Sequence, residues 1–169
     1  SAADSLNLSV ANLVITTTTG NAFITEANGI GLGTVNVAGN SLTLEAITGS
    51  ITNNTSVVTA GNLTLTATAS GAAIGATGAG ADINVTLSGT LTATASTGAG
   101  GIFITETGAM SIVTVNAGAA GNVELESTST ITDTAGDDTT VDITGALLTI
   151  RTSTGIGVTA ANALNLSVA

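Results

Sequence analysis

The residues able to do chemistry in this chain are few, and nearly all are acids. Eleven Asp and Glu face one cation, Arg151, and the chain has no His, Cys, Lys, Trp or Tyr. That leaves no imidazole base, no thiolate nucleophile and no soft metal ligand, so carboxylate chemistry is what remains to weigh. Glu124 and Glu126, in "NVELES", stand two residues apart and on a strand share one face. Glu26 and Glu106 each close the phrase "FITE", and Glu45 closes "LTLE". A glycosidase needs two carboxyl groups about 5–10 Å apart across a cleft. Here the acids are spread along the chain, and the aromatics that could line such a cleft are only Phe23 and Phe103. Both phenylalanines sit at matching strand positions, where a core role is the simpler account.

The stretch "TAGDDTTVD" (134–142) gathers Asp137, Asp138 and Asp142, with Asp133 just before it. Oxygen-rich loops hold Ca²⁺, so these four form the chain's metal candidate. Their spacing is neither that of an EF-hand loop nor that of the calcium-binding β-roll, and a solvated turn is the stronger reading. Arg151 is expected to face Glu126 across one coil in an exposed ion pair. No catalytic residue and no cofactor follows from these groups, and the enzyme class is set aside.

Composition narrows the partners. A net charge of −10 repels phosphate backbones and anionic lipid, so nucleic-acid and membrane-surface roles drop out. No apolar run reaches the roughly 18–20 residues of a membrane helix, so membrane insertion is not expected. High apolar content with few charges argues against disorder. One Arg and no Lys leave trypsin-like proteases a single site.

The elements that must carry these residues are strands. Ala, Gly, Thr and Val alternate with a period of two, and Gly or Asn recurs about every ten residues, the pattern of short strands and tight turns. The chain also repeats itself. "AADSLNLSVA" (2–11) lies over "AANALNLSVA" (160–169) with two substitutions at an offset of 158, making strands 6–11 and 164–169 equivalent. A weaker match relates "FITEANGIGLGTVNV" (23–37) to "FITETGAMSIVTVNA" (103–117) at an offset of 80. The 169 residues therefore read as one segment with an internal duplication, approximately 13–90 and 91–169.

A phrase of the form L-x-φ anchors each expected coil, at Leu13, Leu42, Leu63, Leu91, Val123 and Leu148, spaced by 29, 21, 28, 32 and 25 residues. Stacked in register, these six would form one inward ladder. The fold expected is all-β: a right-handed parallel β-helix with three strands per turn and about six turns per 158-residue period. Outward threonines (Thr16, Thr43, Thr64, Thr66, Thr92, Thr94 and Thr149) would line one face, interrupted by Glu45, Glu124, Glu126 and Arg151. The high β-propensity of Thr accounts for such a row.

The phrases "GNLTLTA" (61–67), "GSI" (49–51) and "VTAGN" (58–62) resemble the repeat regions of large bacterial exoproteins of the filamentous haemagglutinin type. That resemblance implies a secreted, right-handed β-helical shaft at the cell surface. The function expected is thus structural: an extracellular shaft repeat joined head-to-tail to copies of itself. A binding module, adhesive or ice-binding, is the alternative.

Overall fold

The computed structural model describes residues 4–78, 80–96, 98–134 and 140–169. The two-residue alternation does produce strands, with almost no helix. In chain order the first six are β1 (Leu6–Leu8), β2 (Asn12–Thr16), β3 (Ala22–Glu26), β4 (Ile30–Asn36), β5 (Leu42–Ala46) and β6 (Ile51–Asn53). Next come β7 (Val57–Ala60), β8 (Leu63–Ala67), β9 (Ile83–Leu87), β10 (Thr90–Ala95), β11 (Ile102–Glu106) and β12 (Met110–Asn116). The last six are β13 (Asn122–Ser127), β14 (Thr130–Asp133), β15 (Ile143–Gly145), β16 (Leu147–Thr152), β17 (Gly155–Ile156) and β18 (Leu166–Val168).

Successive coils supply two sheets. Sheet A runs β1-β3-β5-β8-β10-β12-β14-β17, with β15 pairing β12 and β18 pairing β15; sheet B runs β2-β4-β7-β9-β11-β13-β16, with β6 also pairing β4. The pairings are parallel throughout, for example Leu44↔Leu65 in sheet A and Leu125↔Ile150 in sheet B. The chain is a parallel β-solenoid, in keeping with the right-handed winding that the crossover rule favours. The coil that begins at Leu42 has three separate strands, β5, β6 and β7. In the coil above it, the second and third segments merge into the longer β4.

The turn count and the ladder differ from expectation. Following Leu6–Ile24–Leu44–Leu65–Ala93–Val115–Ile143–Leu166 down sheet A takes seven steps, where six were expected. Leu42, Leu63 and Leu91 do stack on one another. Leu13, however, pairs with Leu32 in sheet B, and Val123 pairs with Leu148 there too. Val123 extends the column Ile51–Ile74–Ile102 on that side. The expected single ladder is thus two. The cause is physical: an L-x-φ phrase buries alternate side chains equally well against either sheet. The spacings 13→42 and 91→123 each contain one and a half coils, and the two extra halves make the seventh turn.

The internal duplication follows the same rule. "FITE" at 23–26 lies in sheet A and "FITE" at 103–106 in sheet B, so the two halves are related by a half-integral number of coils. Their equivalent strands share one irregularity. β4 carries one extra residue against β2 between Leu32 and Val35, and β12 one against β10 between Ile112 and Thr114. Such bulges bend a strand. Below each bend the next coil pairs in two pieces: β6 then β7 under β4, and β14 then β15 under β12.

The core is a stack of aliphatic columns between the sheets. Leu42, Leu44, Ile51, Leu65, Ile74, Leu91, Ile102 and Leu125 are all wholly buried. Each such side chain contributes about 1.5–3 kcal/mol relative to exposure. At the corners glycine lets one coil lie on the next: a Cβ on Gly61 would stand 2.0 Å from the Gly39 carbonyl oxygen, and one on Gly121 2.0 Å from that of Gly100. Truncation in the middle of a column leaves a cavity that flanking coils cannot close. Leu65→Ala is therefore expected to lower stability by about 2–5 kcal/mol in urea unfolding. Val14→Ala, at a side chain 70% exposed, is expected to change it by under ~0.5 kcal/mol.

Candidate functional site

Among the described residues, charge gathers on the outer face of sheet B. There β11, β13 and β16 lie side by side, with Phe103 opposite Glu124 and Thr105 opposite Glu126, and Glu126 in turn opposite Arg151. With Ala76, Gly78 and Asp82, which precede β9, these residues line a groove of about 420 Å³. Four of the chain's twelve charged residues meet here: Asp82, Glu124, Glu126 and Arg151.

Stacking brings Arg151 beside Glu126, as the sequence spacing indicates, but the ion pair forms elsewhere. Arg151 Nη1 donates to Glu124 Oε1, on the diagonal rather than straight across. The long side chain reaches the carboxylate two residues back, and that bond with its charge raises the guanidinium pKa above its ordinary value, Glu126 adding a smaller push. Glu126 is exposed and accepts no hydrogen bond among the described residues. The Thr105 hydroxyl donates to Asp82 Oδ2. Sequence reasoning missed Asp82, whose signal is a spacing of 21 residues ahead of Phe103, about one coil.

Phe103 is buried, as expected of an aromatic, but outside the aliphatic columns: strand alternation sets it beside Thr105, and its ring lies over Gly101, where a Cβ would meet it at 2.4 Å. That leaves it only 9% exposed. Phe23, equivalent by the duplication, faces out from sheet A opposite Thr43 and is half-buried.

Of the Ca²⁺ candidates, Asp137 and Asp138 lie outside the described residues. Asp133 and Asp142 are each 2% exposed, so the flanks of that loop are not the solvated turn expected. Asp142 instead accepts the Asn165 backbone N–H at 2.8 Å, tying the approach to β18 to the coil above. Among the described residues no three acidic side chains are placed to hold a metal ion.

The two FITE acids are buried, which alternation alone implies, since Ile102, Ile104 and Glu106 share the inward parity. Glu26 is satisfied on both oxygens, accepting Val10 N–H at 3.0 Å and Asn28 N–H at 3.2 Å. Glu106 accepts Leu87 N–H at 3.0 Å on Oε1, while Oε2 has no partner. Burial therefore raises the Glu106 pKa from 4.5 to about 7, against the lowering effect of the Leu87 hydrogen bond. No protein-family profile, curated protein or solved structure matches the chain.

Because the folded protein holds the Glu106 proton more tightly than the unfolded chain, this group's ionisation costs stability progressively from pH 4.5 to about 7. Glu106→Gln should remove that slope. Comparing urea unfolding of the two proteins across pH 4–9, the variant is expected to gain on the parent as pH rises, by an amount on the order of 3 kcal/mol at most. Parallel curves would sink the assignment.

Proposed function

We propose that this chain is a stretch of an extracellular structural shaft, its β-ladder running on through further copies of the same period. One observation carries the reading. The identical segments LNLSVA at 6–11 and 164–169 supply strands to the same sheet, β1 and β18, and the equivalent residues Leu8 and Leu166 both belong to inward columns. A period of 158 residues thus returns the chain to the same sheet, facing the same way, after seven coils, with Leu166 in the column that begins at Leu6, two residues from its equivalent Leu8. The offset of 80 does not: it lands on the opposite sheet.

The two ends suit such continuation. β1 and β2 at one end, and β16, β17 and β18 at the other, each have an edge with no neighbouring strand among the described residues. Apolar side chains cluster there: Leu6 and Val14 at one end, Leu147, Ile156, Val158 and Leu166 at the other, each more than half exposed. A further coil laid on either end would cover them and satisfy the edge N–H and C=O groups. The acidic, nearly lysine- and arginine-free surface and the resemblance to haemagglutinin-type exoproteins favour a bacterial cell-surface setting.

A tandem chain carrying the 158-residue period twice tests the reading. Each period adds roughly 34 Å at the usual strand spacing, so negative-stain images should show one straight rod of doubled length that melts in a single transition. Two beads joined by a hinge would refute it.

A further inference from the structure

We propose that the outer face of sheet A across β5, β8 and β10 is an ice-binding surface, a role separate from the shaft. These three strands pair in unbroken register, which places Thr43, Thr64 and Thr92 in one row and Glu45, Thr66 and Thr94 in the next. Neighbouring strands lie about 4.8 Å apart, and residues two apart along a strand about 6.6 Å. The result is a rectangular net of hydroxyl and methyl groups whose spacings approach the oxygen repeats of hexagonal ice.

Three observations support the assignment. The hydroxyls of Thr43, Thr64, Thr66, Thr92 and Thr94 give no hydrogen bond to any protein group among the described residues, whereas Thr90, at the edge of the same face, donates to Asn62 Oδ1. The five are therefore free to bond an outside lattice. Next, charge is segregated. Glu124, Glu126 and Arg151 belong to sheet B, so they do not interrupt the threonine net as a single-ladder reading of the sequence implies. Glu45, at its rim, is the one charged residue among these rows, and its carboxylate is drawn aside by the Thr68 hydroxyl at 3.2 Å. A nearly neutral face suits an uncharged lattice, while ions order water around themselves instead. Finally, the net is pre-organised. Thr has few χ1 choices, and the inward neighbours Leu65, Ala67, Ala93 and Ala95 are at most 3% exposed, which fixes the backbone beneath.

The 169-residue chain is tested by slow ice growth from dilute solution and by microscopy of single ice crystals near the melting point. The parent is expected to enrich in ice and to facet the crystals. Thr64→Lys with Thr92→Lys should abolish both effects while circular dichroism still reports a folded solenoid. Thr149→Lys, on the outer face of sheet B, should leave both intact. Glu45→Thr completes the net and should widen the gap between freezing and melting. Exclusion of the parent from ice to the same degree as an unrelated protein of similar size overturns the proposal. An equal loss from Thr149→Lys overturns it as well. Neither result bears on whether tandem periods form a rod.

Discussion

Everything in this molecule rests on each coil handing its backbone hydrogen bonds to the coil beside it. Among the described residues no strand has a partner close in sequence; the N–H and C=O groups are met 18 to 28 residues away. Parallel pairing of this sort holds only while successive coils stay in register, so like side chains come to lie on like. The aliphatic columns, the corner glycines and the asparagines all follow from that demand. Asn21 and Asn62, for instance, each accept the backbone N–H one coil on, at Ser41 and Thr90. What varies is the length of chain spent at the corners, where no neighbour dictates it.

The same demand explains the buried acids. Where a coil turns, a backbone N–H is left pointing at the corner, and a carboxylate at the end of the paired strand one coil on can take it. Glu26 and Glu106 both do so, with Val10 and Leu87 as donors. They part company on the second oxygen. Glu26 finds Asn28, the residue after its neighbour; Glu106 has Gly108 at the corresponding place, whose N–H goes to Thr128 instead. Glu26 thus holds two backbone N–H groups, whereas Glu106 holds one and keeps a buried Oε2 with no partner.

The strand content, parallel stacking and aliphatic interior were legible from residue alternation and self-similarity. The coil count was not, because both sheets read the same alternating phrase and nothing in "NLVIT" or "NVELE" says which side of the core it faces. Arg151 was placed beside Glu126 correctly as a matter of register, yet the bond goes to Glu124, since side-chain reach is not a property of the ladder. Phe103 is buried, as its aromatic character indicates, but only strict parity tells that it packs on the outer side of its strand while Glu106 points inward. Asp82 gave no local signal at all, being brought to the groove by one coil of spacing.

The shared bulge in β4 and β12 has a consequence for growth. Beneath the first, three residues join β6 to β7; beneath the second, nine join β14 to β15, and the strands on either side still align. The bent position behaves as a grafting point, where outgrowths can lengthen or change without disturbing the axis. Because the two halves face opposite ways, the two bends lie on opposite sheets of the solenoid, so insertions at them would fall on opposite flanks.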